Sequence, residues 1–115
     1  MAIQIFGAAK CFDTKKAERY FKERNIKYQY VDLYKYGLSK GELSSVKAAV
    51  GLKNLFKEGS SEYKKLNLQH IKGSSVREEI LFKNPKLYKT PIVRSGRQDT
   101  VGYQPDVWKN WIEKE

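Results

Sequence analysis

Apolar residues alternate with polar ones at the start of the chain, at Ile3, Ile5 and Phe6. They then recur at helical spacing at Ala17, Tyr20 and Phe21. The first pattern predicts a short strand and the second an amphipathic helix directly after it. The helix is expected to begin near Asp13 or Thr14, both good N-caps, and to close near Asn25, which tolerates a left-handed backbone. Tyr28 to Leu33, rich in β-formers, reads as a second strand. Strand, helix and strand in so short a span make a βαβ unit with an expected right-handed crossover.

The middle of the chain changes character. Ser39 and Glu42 have capping-box spacing ahead of Leu43, Val46 and Val50, which share one helical face, and Gly51 is placed to close that helix. Leu52, Leu55 and Phe56 continue helically, and Glu62 to Leu66 carries a further short helical pattern. Ser75 with Glu78 predicts a second capping box before Val76, Ile80 and Leu81. Asn84-Pro85 ends that helix, because the residue before a proline avoids helical backbone. Sheet signals then return. Ile92-Val93, a turn at Ser95-Gly96-Arg97-Gln98, and Thr100 to Tyr103 read as a β-hairpin. Pro105 suits the first turn of a last helix, with Val107, Trp108, Trp111 and Ile112 on one side. The two tryptophans read as core packing. The expectation is an α/β fold of order β-α-β…β-β-α. Its sheet-forming parts span about 1–35 and 85–115, with an all-helical insertion over about 36–84, in a single domain of 1–115.

Composition narrows the function. At 115 residues, with 40% hydrophobic and 31% charged positions, the chain suits one globular domain with a modest core. No apolar run approaches the ~20 residues of a membrane span. The N-terminus lacks signal-peptide character, so a cytoplasmic protein with no membrane partner is expected. One cysteine excludes an internal disulfide, and one histidine, His70, leaves no zinc-type cluster, so no metal is expected. His70 has no partner at catalytic spacing and receives no role. The net charge of +10 suits an anionic substrate, an acidic protein or nucleic acid. The lysines are spread along nearly every segment, however, and no nucleic-acid-binding motif is present, which disfavours direct nucleic-acid binding.

Cys11 is the sharpest chemical candidate. The predicted elements place it in a loop just before a helix N-terminus, where unpaired N–H groups and the helix dipole favour an anion. Lys10, Lys15 and Lys16 add positive charge around a thiolate, and Asp13 opposes them. Lys15, Arg94 and Arg97 are candidates for an anion-binding site, with a solvated surface as the plainer reading of all three.

The order of elements, with a cysteine after the first strand and helices between the two halves, resembles the ArsC/Spx family. That family groups arsenate reductases with Spx-type transcription regulators on a thioredoxin-like fold. GAAKCFDTKKA resembles the family's cysteine loop, GLKNLFKEGSSEYKKLNL its insertion, and NPKLYKTPIV followed by TVGY its proline strand and closing hairpin. The resemblance implies a nucleophilic Cys11 and a cis Thr90-Pro91 facing it, with the Thr90 backbone exposed to pair with a thiol-containing substrate. It also implies substrate contacts near Thr14 and Lys15, and no bound cofactor.

Departures from the family pattern shape the expected activity. Thr14 stands where Spx proteins carry a second cysteine, so any adduct on Cys11 must be resolved by an outside thiol such as glutathione or a glutaredoxin-type protein. Lys15, Lys57 and Thr90 stand where arsenate reductases carry arginines. Arginine holds a tetrahedral oxyanion bidentately and lysine is a point charge, so these replacements weaken the expectation of arsenate. Two functions follow from the resemblance. One is a single-cysteine, thiol-dependent reductase. The other is a non-catalytic, Spx-like regulator that meets the RNA polymerase α subunit through Gly51, although a helix C-cap is sufficient reason for that glycine.

Overall fold

The computed structural model describes residues 2–114. Strand β1 (Ile3–Gly7) decides the layering. Its alternating side chains send Ile3 and Ile5 to one face and Phe6 to the other, and each face seeds a separate core. Helix α1 (Phe12–Glu23) follows, then strand β2 (Tyr28–Asp32). β2 lies parallel to β1, with Ile3 opposite Tyr28 and Gly7 opposite Asp32. The helices α2 (Leu33–Tyr36), α3 (Lys40–Val50), α4 (Ser61–Lys65) and α5 (Ser74–Lys83) form the middle of the chain, with short 3-10 turns between α3 and α4 and between α4 and α5. Strands β3 (Ile92–Ser95) and β4 (Gln98–Val101) make an antiparallel hairpin, and helix α6 (Pro105–Glu113) closes the chain. Strand order is β2-β1-β3-β4, with β3 antiparallel to β1. This is the thioredoxin-like arrangement with a helical insertion.

One core lies between the sheet and α1 with α6. Ile5, Ala17, Phe21, Val93 and Trp108 are fully buried there. The Trp108 indole N–H donates to the Thr100 hydroxyl at 2.8 Å, which satisfies the one polar group that so large a buried ring carries. The other core joins Phe6, Leu33 and Ile92 to the insertion through Val46, Leu55, Leu68, Leu81, Leu87 and Tyr88. Ile92 and Val93 repeat in β3 the division of faces seen in β1.

Most local signals are realised. Ser39 and Glu42 form both bonds of a capping box, at 3.1 and 2.8 Å. Asn25 is left-handed at φ 57°, and Gly51 closes α3 at φ 86°. α5 stops at Lys83, and Pro105 opens α6.

Five expectations need correction. The second hairpin strand is Gln98–Val101 rather than Thr100 to Tyr103, because Ser95 already pairs with Gln98 across a two-residue turn and Gly102, at φ 81°, ends the strand. Helix α1 starts at Phe12 with Cys11 as its N-cap, because the cysteine loop is already closed by a bond from the Cys11 N–H to the Ala8 carbonyl at 3.1 Å. Asp13 and Thr14 therefore fall inside the first turn. The second capping box does not form. α5 begins at Ser74 behind Gly73 without a side-chain cap, and Glu78 is taken instead by Lys47 of α3 at 2.6 Å. Leu33 leaves the sheet to start α2, whose N-cap Asp32 accepts from the Lys35 N–H at 3.3 Å. Phe56 leaves the helical run after Leu55 and forms an isolated antiparallel bridge with Tyr88.

Candidate active site around Cys11

The end of β1 delivers the site. Gly7 is needed by close approach, since a Cβ there would lie 2.3 Å from the Thr14 methyl carbon and 2.8 Å from its hydroxyl oxygen. The absence of a side chain lets the first turn of α1 sit directly on the strand end. Thr14 is 1% exposed, and its hydroxyl accepts from the Ala8 N–H at 3.3 Å. Strand, loop and helix start are thereby locked around Cys11, whose backbone carbonyl accepts from the Lys15 N–H at 3.2 Å.

The second wall comes from far away in sequence. The Thr90-Pro91 peptide is cis, and the Thr90 carbonyl lies 3.6 Å from the Cys11 sulfur, accepting from the protonated thiol. Just before it, the Phe56–Tyr88 bridge is flanked by bonds from the Lys57 N–H to the Leu87 carbonyl at 2.8 Å and from the Lys89 N–H to the Leu55 carbonyl at 2.7 Å. These short bonds fasten the insertion to the proline segment, and so bring Lys57 and Lys89 to the cysteine.

Two cavities, of about 420 and 390 Å³, meet at Cys11, Asp13 and Lys57. The first is completed by Ala8, Lys10, Phe12 and Tyr34, and the second by Phe56, Glu58, Lys89 and Thr90. Their size suits a small ligand or one residue of a larger one. Phe12 is 78% exposed at the mouth.

Burial is the largest influence on the thiol and pushes its pKa up. Hydrogen bonds to the sulfur from the Thr14 and Thr90 hydroxyls and from the Thr14 and Asp13 amides outweigh it, and the pKa lies below the usual cysteine value. Donors aimed at the charged form favour that form. The amide donors belong to the first turn of α1, so the helix start itself acts on the sulfur.

Not all the expected residues converge here. Cys11, Thr14, Thr90 and Pro91 are brought together. Lys15 is exposed and lines neither cavity. Arg94 and Arg97, expected at an anion site, are carried away by the register. Ile92 pairs with Phe6 at the cysteine end of β1, whereas Ser95 pairs with Ile3 at the opposite end. Arg97 is exposed in the turn beyond Ser95. The Arg94 Nε donates to Asp99 at 2.6 Å, and its guanidinium lies 3.7 Å from Glu42, so it serves the packing of α3 on the hairpin. Gly51 is exposed at the end of α3 and lines neither cavity. Lys89, Glu58, Tyr34 and Phe56 were not foreseen at the site. The available signal was the position of Lys89 directly before Thr90-Pro91. Among the described residues, no group of three or more His, Cys, Asp or Glu is placed to hold a metal ion.

Known proteins agree with this architecture. The global transcriptional regulator Spx 2 of Oceanobacillus iheyensis is 26% identical over 118 residues, covering 99% of this chain and 86% of that protein. The YusI protein of Bacillus subtilis is 26% identical over 117 residues, covering 96% and 99%. The structure of an arsenate reductase from Vibrio cholerae superposes with a TM-score of 0.83 at 21% identity, over 96% of this chain and 97% of the other. Residues 6–111 match the ArsC family. That match runs from the end of β1 into α6 and takes in both walls of the Cys11 site, so the protein belongs to the ArsC family.

Proposed function

We propose that the protein is a thiol-dependent reductase with Cys11 as its single nucleophile, resolved by an external thiol, in the cytoplasm. The observation that carries this reading is the set of donors from Thr14, Thr90 and the first turn of α1 that hold the Cys11 thiol below the usual cysteine value. A thiolate there attacks one sulfur of a disulfide, the S–S bond breaks, and the other half leaves as a thiolate that takes up a proton. Cys11 is left in a mixed disulfide. An external thiol such as glutathione, or a glutaredoxin-type protein, then attacks that bond and regenerates the Cys11 thiolate. No internal thiol competes, because Thr14 occupies the place of a second cysteine. The Thr90 backbone beside Pro91 is the docking edge for the substrate or the resolving thiol.

Arsenate is disfavoured as the substrate. The cations lining the cavities are Lys10, Lys57 and Lys89, and none offers the planar fork that grips a tetrahedral oxyanion. The test is glutathione-coupled turnover of small disulfides and of arsenate by wild type and Cys11→Ser. Disulfide turnover that disappears in Cys11→Ser is expected, and Cys11-independent turnover contradicts the assignment.

A second reading is a regulator of the Spx kind. It is favoured by the likeness to Spx 2 along nearly the whole chain and by the exposure of Gly51 at the tip of α3. On this reading the insertion meets the RNA polymerase α subunit. Retention of the chain by the α C-terminal domain at low salt, lost in Gly51→Arg, would support it. No retention at low salt counts against it.

A further inference from the structure

Beside the two cavities at Cys11 lies a third, of about 310 Å³, lined by Val50, Asn54, Lys89, Thr100, Val101 and Gln104. Lys89 lines both this cavity and the one that holds Cys11 and Thr90, so the two adjoin along the proline segment. The third lining is different in kind. Lys89 is its only charged residue, and the rest is two valines, a threonine and two carboxamides. The Asn54 amide donates to the Val50 carbonyl at 2.6 Å, and the Gln104 amide donates to the Val101 carbonyl at 3.2 Å. These bonds use the amide nitrogens and leave both side-chain carbonyl oxygens open to accept. The segment between the cavities also has an open edge. The Lys89 N–H donates to the Leu55 carbonyl at 2.7 Å, and the Pro91 carbonyl accepts from the Gly102 N–H at 2.8 Å. Among the described residues, the Thr90 N–H between them has no backbone partner.

We infer that the substrate is an extended polypeptide segment, its reacting cysteine seated at Cys11 and its neighbouring residues lying across Thr90 into the third cavity. This rests on the reductase reading of Cys11 and names the class of molecule it acts on. A small disulfide held at the sulfur is accommodated by the first two cavities and leaves the third without an occupant. A peptide main chain carries the groups that the third cavity and its approach call for. Its carbonyl accepts from the Thr90 N–H, and its N–H groups donate to the Asn54 and Gln104 side-chain oxygens. A small apolar side chain lies against Val50 and Val101. The reaction is thiol–disulfide exchange. The Cys11 thiolate bonds to the sulfur of the peptide cysteine, the disulfide of that cysteine breaks, and its other half leaves as a thiolate that takes up a proton.

The experiment is single-turnover exchange, in the absence of glutathione, between reduced protein and two probes. Each probe is a cysteine in mixed disulfide with 5-thio-2-nitrobenzoate. One is N-acetylcysteine methylamide, and the other is the end-blocked pentapeptide Ala-Val-Cys-Val-Ala. The leaving group is the same in both, and each rate is divided by that of free 2-mercaptoethanol with the same probe. The pentapeptide is expected to lead by about fivefold, the scale of one net hydrogen bond. The Asn54→Ala/Gln104→Ala double variant, at two exposed positions, should abolish that lead and leave the rate of the short probe unchanged. Equal normalised rates in wild type overturn the inference. So does a pentapeptide lead that survives in the double variant, whether or not both rates fall together. Failure of both probes to react with Cys11 is a different result. It removes the reductase reading itself, and this inference with it.

Discussion

At the scale of single residues, Thr14 is the side chain on which Cys11 depends most. Its hydroxyl accepts from the Ala8 N–H and donates to the sulfur, so it ties the loop to the nucleophile. Thr14→Val keeps the shape and removes both bonds. Alkylation of Cys11 by iodoacetamide at neutral pH should slow severalfold, because losing the Thr14 donor raises the thiol pKa and leaves less thiolate, and Thr14→Ser should restore most of the rate. The Ala8 N–H left without a partner should also lower stability by about 1–3 kcal/mol in chemical denaturation. Gly7→Ala acts from the other side. The added Cβ enters the space of the Thr14 side chain, and a loss of about 1–3 kcal/mol is expected with slower alkylation. The thiol also links pH to folding. Its folded pKa is depressed, so its contribution is complete above the unfolded value and is lost as pH falls through the folded one. Stability measured across that window should rise with pH in wild type more than in Cys11→Ser.

Among the elements, the hairpin and α3 show why two arginines near the site in sequence do not serve it. The Asp99 carboxylate is fully buried and is held by Arg94 at 2.6 Å and by the Ser45 hydroxyl at 2.8 Å. Arg94→Met strands that carboxylate, and a loss of about 3–5 kcal/mol is expected from denaturation midpoints. The alkylation rate of the fraction that remains folded should not change. Arg97→Ala should leave both within about 0.5 kcal/mol or its equivalent in rate. The same contrast marks what sequence could reveal. The alternation of Ile3, Ile5 and Phe6, the stripe of Ala17, Tyr20 and Phe21 and the Ser39–Glu42 box are local, and each formed as its pattern indicates. Strand register and cross-chain pairing are not local. The pairing of Phe6 with Ile92 sends Arg94 and Arg97 down the sheet, while the Phe56–Tyr88 bridge brings Lys57 and Lys89 in. Glu78 shows the same limit at a helix end, where Lys47 on another helix displaced a locally plausible cap.

For the molecule as a whole, a single cysteine gives a simple redox inventory. Among the described residues no helix is long and apolar enough to cross a membrane. With Cys11 as the only thiol, exposure to glutathione disulfide should add one glutathionyl group per chain by intact-mass measurement, reversed by excess glutathione and absent in Cys11→Ser. The Spx-like reading requires no such chemistry, which makes the ionisation of Cys11 the property on which the proposed function turns. The most direct measurement is the rate of Cys11 alkylation against pH in the folded protein. The hydrogen bonds from Thr14, Thr90 and the start of α1 outweigh burial and predict a half-maximal rate at lower pH than for the same cysteine in the unfolded chain. A folded profile centred at the same pH as that of the unfolded chain, or higher, would contradict the assignment of Cys11 as an activated nucleophile.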